Sequence, residues 1–214
     1  MSDPDSRRAL EQYRRHAPGY DASARRTMDI RRRTVALLAL APGERVLDVD
    51  CGTGLSFPLL AEAVGPSGRV TGVEVSPEMA AQARARVAAA GWTNVSVVEA
   101  SVESATLEGL YDALLFHYTH DVLQSPTALA RVFAHARRGA RVAVAGVKHL
   151  PRWLYPARLY TLWKARPYLT TFRGLERPWV GLDPYVEGLE VTPVRLGTNY
   201  IASGRVRVSA TMAP

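Results

Sequence analysis

The densest concentration of chemically able residues is VLDVDCGTG, Val46 to Gly54, with two carboxylates (Asp48, Asp50) and two glycines (Gly52, Gly54). Glycines tolerate positive φ and let a ligand approach the backbone closely. A helix that starts just beyond them offers free N–H groups and a partial positive charge. A third carboxylate, Glu74, stands 20 residues after Gly54, where an acid can hold both hydroxyls of a ribose. FHYTHDV (116–122) supplies His117 and His120, which take a proton near neutral pH, and Tyr118, a donor. His16 and His149 are lesser candidates. Cys51 is the single cysteine, which excludes an internal disulfide and a cysteine-cluster metal site; it reads as a small buried filler. No metal is expected.

The elements that must position these groups alternate. RVLDV (45–49) is a short apolar, β-branched run and hence a strand. The loop DCGTG leads into a helix through LSFPLLAEAVG, with Pro58 in the first turn, where a missing N–H costs little. RVTGVEVS (69–76) is a second strand. SPEMAAQARARVAAAG is a helix capped by Ser76, with Pro77 at its first position and Gly91 as its stop. NVSVVEA (94–100) and YDALLFH (111–117) are the third and fourth strands. SPTALARVFAHARRG is a helix with Ser125 as cap and Gly139 as stop, followed by a fifth strand, ARVAVAGV (140–147). Strand alternating with helix predicts parallel β-α-β units and a doubly wound α/β sheet. LEVTPVRLG (189–197) and YIASGRVRVS (200–209) lie two or three residues apart, a spacing that permits an antiparallel hairpin and not a parallel crossover. Upstream, residues 5–17 and 22–41 read as helices separated by APGYD, and Pro42-Gly43 ends the second.

At 214 residues with 47% hydrophobic composition, one domain with a real core is expected. The N-terminus has no apolar core of a secretory signal, and no apolar run reaches the length of a membrane span, so a cytoplasmic location is the simplest expectation. The formal net charge of +7 is uneven: residues 1–33 carry +4 and residues 148–179 carry +6. Such segments attract nucleic acid, anionic lipid or an acidic substrate, or are solvated arginine-rich faces.

The ligand of the first β-α turn can be narrowed. A dinucleotide fingerprint G-x-G-x-x-G needs a glycine where Phe57 stands. Pyrophosphate also favours a neutral or positive loop, whereas this one carries Asp48 and Asp50. S-adenosylmethionine has no phosphate, and its ammonium and sulfonium suit acids. VLDVDCGTG, VTGVEVSPEM, VVEAS and YDALLFHYTHDV, in that order over roughly residues 45–147, resemble the class I S-adenosylmethionine-dependent methyltransferases. YRRHAPGYD resembles the Y-x-x-x-A-x-x-Y-D segment of small-molecule members, among them the ubiquinone/menaquinone C-methyltransferases and bacterial phosphatidylethanolamine N-methyltransferases.

That resemblance implies a Rossmann-like seven-stranded sheet with an antiparallel last strand. It implies an N-terminal helical cap (residues 1–41) on a methyltransferase domain (42–214) that includes an aromatic lid segment (148–180). Asp48, Gly52 and Gly54 would shape the pocket for the methionine end, and Glu74 would bind the ribose. Val75 and Met79 would touch the adenine, Glu99 would accept from its amino group, and the Ala100 N–H would donate to its ring. His117 would border cofactor and substrate, while Tyr13 and Tyr20 would close over the cofactor. Asp50 replaces the first glycine of the family's G-x-G-x-G loop. It could bridge to the cofactor's ammonium, turn to an N-terminal arginine, or repel the cofactor's carboxylate.

Methyl transfer mainly needs alignment and exclusion of water. A base is required only for some acceptors, and His117 or His120 is the candidate. Residues 148–180 hold Trp153, Tyr160 and other aromatics among Arg and Lys. With Tyr13 and Tyr118 they would line a site for a small apolar or aromatic acceptor; contact with a lipid surface and a homodimer interface are the alternatives. Rival functions are a cofactor-binding protein without methyl transfer (cyclase- or isomerase-like) and an RNA methyltransferase. For the latter, no appended RNA-binding module and no N/D-P-P-Y/F motif is present after strand four, so no stable nucleic-acid partner is expected.

Overall fold

The computed structural model describes residues 21, 25–149 and 174–208. The helix expected over 5–17, the aromatic segment 150–173, and Tyr13, His16, Tyr20, Trp153 and Tyr160 lie outside the described residues. The strands are β1 (Arg45–Val49), β2 (Arg69–Glu74), β3 (Val95–Glu99), β4 (Tyr111–His117), β5 (Ala136–Val147), β6 (Val186–Val194) and β7 (Asn199–Val206). The helices are α1 (Met28–Leu37), α2 (Phe57–Val64), α3 (Pro77–Ala90), α4 (His120–Leu123) and α5 (Pro126–Ala134).

The strands form one sheet in the order β3-β2-β1-β4-β5-β7-β6. β1 to β5 run parallel, and β7 enters antiparallel between β5 and β6. The hairpin read from the sequence thus supplies the antiparallel strand. The order reverses between β1 and β4, which places the switch point beside VLDVDCGTG.

Each strand presents alternate side chains to two cores. On one face Leu47, Val49, Leu114 and Phe116 meet α5 through Leu129, Val132 and Phe133. On the other, Val46, Val70, Ala113 and Leu115 meet Val35 and Leu38 near the end of α1, Phe57 and Leu60 of α2, and Ala83 of α3. The apolar positions of α1, only loosely periodic in the sequence, therefore suffice to seat it on the sheet. Ser76 caps α3 by accepting from the Met79 N–H, Ser125 caps α5 by accepting from the Ala128 N–H, and Gly91 stops α3 at φ 67°.

Several boundaries differ from the sequence reading: α1 stops at Leu37, short of Pro42-Gly43, and two strand starts move. Helix α5 stops at Ala134, and Gly139 is no helix stop: it lies inside β5 at φ 73°. The residues ARRG are drawn into the sheet because the Tyr111 N–H donates to the His135 carbonyl and Tyr111 pairs with Ala136; a bulge follows before Ala113 pairs with Arg141. Strand β6 starts at Val186, three residues early, and pairs across an irregularity between Glu187 and Glu190, beside Gly188 at φ 63°.

Candidate cofactor and substrate site

The turn after β1 is built on left-handed backbone. Asp50, Gly52 and Gly54 have φ of 57°, 59° and 75°. Aspartate is among the few side chains that tolerate this region, which explains how it stands where a glycine would be expected. Gly54 also makes room for Phe57, because a Cβ there would lie 2.6 Å from the ring. Phe57 packs fully buried under the turn, so the residue that breaks the dinucleotide fingerprint forms the turn's floor.

Glu74, only 2% exposed, closes β2 and reaches across to this turn. One carboxylate oxygen accepts from the Gly52 N–H at 2.8 Å and the other from the Ser76 N–H at 2.8 Å. Burial raises its pKa, and those two N–H groups oppose the rise. The Asp50 carboxyl lies close enough to Glu74 for the pairing of the two acids to raise the pKa of Asp50. Asp50 is half-buried; its desolvation, then Glu74, Asp121 and Asp48, push its pKa well up. Among the described residues no arginine acts on Asp50, and the group nearest to it in effect is another acid, Glu74; Arg7, Arg8, Arg14 and Arg15 lie outside the described residues.

The N-terminal arginine goes elsewhere. Arg31 of α1 is buried, donates to Ser56 Oγ, and acts on Asp48. Asp48, 1% exposed, has its pKa pushed up to about 7 by burial, with Arg31 and a hydrogen bond to Ser56 pulling the other way. Its Oδ2 has no hydrogen-bond partner. An acceptor so buried and unpaired is costly unless a ligand completes it.

At the end of β4, His117 is buried, and neither ring nitrogen has a hydrogen-bond partner. Burial, then Arg31, hold its pKa well below the usual histidine value, so the ring is neutral and able to accept a proton. His120 is buried at the start of α4. Tyr118 adopts φ 64°, and its hydroxyl accepts from Asn199 Nδ2 at 2.8 Å; burial raises its pKa to about 12. Tyr118 packs against Ile30, Ala145 and Ile201.

The adenine-side candidates are less uniform. Met79 is buried and Val75 half-buried beside Glu74. Glu99 is exposed and paired with Arg84 at 2.6 Å, turned to the α3 side. The Ala100 N–H, expected to serve an adenine ring, donates to the Glu74 carbonyl at 3.0 Å. Extension of the β2–β3 ladder by one residue uses that donor, so the expectation for Ala100 needs correction.

Three contributors had not been singled out. Asp21 accepts from Thr53 Oγ1 at 2.6 Å and from Arg86 at 2.6 Å, while Arg86 Nε donates to the Thr53 carbonyl at 3.0 Å. These bonds clamp the N-terminal segment to the glycine turn and to α3. Arg31 and Asp121 complete the electrostatics. The signal for Arg31 was its place one residue after Ile30 and three before Thr34, on the buried face of α1; Asp21 ended the YRRHAPGYD motif.

Taken together, the carboxyl ends of β1, β2 and β4 hold a glycine cradle, an unpaired buried carboxylate oxygen and a neutral histidine. A ligand with cationic groups and a ribose fits this donor set. Among the described residues, no group of His, Cys, Asp or Glu could hold a metal ion, and no helix is long and apolar enough to cross a membrane.

Comparison with known proteins agrees. A family model described as a methyltransferase domain matches residues 46–141. The chain is 31% identical over 188 residues to a phosphatidylethanolamine N-methyltransferase of Cereibacter sphaeroides, covering 83% of this chain and 87% of that protein. It is 32% identical over 114 residues to an aklanonic acid methyltransferase of Streptomyces sp. (strain C5), covering 52% of each. The fold matches a solved SAM-dependent methyltransferase from Aquifex aeolicus with a TM-score of 0.58 and 23% identity, over 82% of this chain and 89% of that one. With the first five curated relatives the match spans only 31% or less of their length. The similarity to the Cereibacter enzyme, however, runs through most of both chains; the chain belongs to the class I S-adenosylmethionine-dependent methyltransferases.

Proposed function

We propose that the protein transfers a methyl group from S-adenosylmethionine to a small acceptor with a substantial apolar or aromatic part. The observation that carries this reading is the switch-point constellation: Glu74 bonded to the Gly52 N–H, Asp48 with an unpaired oxygen, and His117 with both ring nitrogens open. Glu74 is assigned to the ribose, Asp48 with the Gly52 and Gly54 backbone to the methionine end, and Met79 with Val75 to the adenine. Glu99 is the weaker candidate on the adenine side, since its carboxylate is engaged by Arg84. When bound, the cofactor supplies an activated methyl on a sulfonium.

The protein's own residues align the acceptor, exclude water and manage one proton. A neutral His117 suits an acceptor that must lose a proton, such as an amine or a hydroxyl. His120 is the alternative base. Residues 148–180 are proposed as the acceptor lid, with Tyr118 at its base. The Cereibacter relative acts, by its name, on phosphatidylethanolamine, so an aminolipid is the first acceptor to test beside aromatic hydroxyl compounds. Peripheral lipid contact, or a homodimer through the aromatic segment, would be consistent with the same composition.

The test is to incubate the protein with S-adenosylmethionine and acceptor panels and to follow S-adenosylhomocysteine by mass spectrometry. Its formation with an acceptor of this class supports the reading. Cofactor binding without transfer over a broad panel would favour the cyclase- or isomerase-like alternative. Strong RNA affinity that falls with salt would favour RNA as acceptor.

A further inference from the structure

We infer that Asp50 makes this site prefer the sulfonium cofactor over its demethylated product, S-adenosylhomocysteine. The inference rests on the methyltransferase reading above and concerns selectivity, which that reading leaves open.

The geometry puts an unusual amount of negative potential at the switch point. Asp48 and Asp50 come from β1 and its turn, Glu74 from the end of β2, and Asp121 from α4 after β4. Asp50 is held at φ 57°, two residues before the Gly52 N–H that Glu74 accepts from. The Asp50 and Glu74 carboxyls act on one another. Asp48 adds a second, independent sign of a missing cation: it is 1% exposed and its Oδ2 lacks a partner. Among the described residues, the opposing charge is Arg31, on the Ser56 and Asp48 side of the cluster.

S-adenosylmethionine and S-adenosylhomocysteine share the ammonium, carboxylate, ribose and adenine. They differ by one methyl and one positive charge. Every contact with the shared groups cancels in the ratio of their affinities, so the ratio reads the potential at sulfur. A carboxyl in place of the loop glycine adds to that potential, and its effect is greater in a poorly solvated pocket than in water.

The preference should depend on pH. Among the described residues, the groups acting on Asp50 are Glu74, Asp121 and Asp48, with the buried Cys51 thiol beside it. Protonated, Asp50 donates to Glu74 and contributes little charge. A bound cation favours the ionised form, so binding of the sulfonium releases protons and strengthens as pH rises. Binding of the neutral thioether does so less. A turnover consequence follows: loss of the charge at transfer loosens the product.

The experiment is calorimetric titration of both ligands into the wild-type protein, Asp50→Asn and Asp50→Gly between pH 6 and 9. Asparagine keeps the shape and tolerates left-handed backbone; glycine restores the family's usual residue. The wild-type preference for S-adenosylmethionine over S-adenosylhomocysteine should rise with pH and fall about tenfold in either variant, where the remaining pH dependence should shrink to what Asp48, with its pKa of about 7, contributes. A ratio that is flat with pH in the wild type, or unchanged in a folded variant, overturns the inference while leaving the methyltransferase reading intact. Binding of neither ligand to the wild type overturns both.

Discussion

Glu74 at the end of β2 accepts a hydrogen bond from the Gly52 N–H at 2.8 Å, so a carboxylate 22 positions away shapes the turn that follows β1. The same side chain accepts from the Ser76 N–H ahead of α3. One residue thereby couples the first turn of the sheet to the second.

Replacing Glu74 should accordingly damage both ligand binding and the turn. Glu74→Gln would present an N–H to one of two backbone donors and leave it unsatisfied. The cofactor dissociation constant should rise about 30-fold, equivalent to about 2 kcal/mol. Calorimetry checks the first effect, and a lowered melting temperature the second.

His117→Asn tests the proton acceptor. The transfer rate should drop about 100-fold while cofactor affinity stays within about threefold. Because burial depresses the His117 pKa, the wild-type rate should already be on its plateau at neutral pH and fall only in acid. The Asn variant should lose that acid limb. His120→Asn, measured alongside, distinguishes the two histidines, and a loss of affinity or fold stability in place of rate would assign His117 a packing role.

Asp48 makes the unliganded protein pH-sensitive. Its pKa is about 7 when folded, against 3.8 as a free side chain. Between those values the folded state holds the extra proton, so this contribution is complete below about pH 4 and is lost as pH rises through 7. The melting temperature should fall by roughly 5 °C between pH 5 and 8. Asp48→Asn should flatten that dependence, and Arg31→Met should steepen it by removing the opposing charge.

The Asp21 clamp offers a separate measurement. Asp21→Ala breaks the bonds to Thr53 and Arg86 and should weaken cofactor binding about three- to tenfold. Arg86→Met should do the same, and the double variant should be little worse than either, as expected for coupled partners.

Gly72→Ala probes the packing beneath the turn. A Cβ there would lie 2.7 Å from both Cys51 Sγ and Phe57 Cζ. Overpacking of this kind costs about 1–3 kcal/mol, visible as a melting temperature several degrees lower.

Local patterns in the chain were enough to read the fold. Leu47–Val49 and Leu114–Phe116 alternate with Val46 and Ala113–Leu115 between two faces, so each strand is buried on both sides and reads as a short apolar run. Ser76, Ser125 and Gly91 act within one helical turn, and the short gap before β7, four residues in the structure (195–198), admits only a hairpin. The acids and glycines of VLDVDCGTG, with Glu74 at its spacing, marked the site for the same reason: strand ends at a switch point converge.

Tertiary structure alone decided what those side chains meet. In Arg31-Arg32-Arg33 the three letters are equal, yet the rotation of α1 on the sheet buries Arg31 near Asp48 and leaves Arg32 and Arg33 in solvent. The pairing of Ala136 with Tyr111 pulled four residues out of an expected helix. Asp50 could have faced a cation, but among the described residues the groups acting on it are acids, Glu74 first. Periodicity and capping are set by neighbours a few residues apart, and the sequence displays them. Charge partners 20 or more residues apart depend on how whole elements pack, and no local pattern encodes that distance.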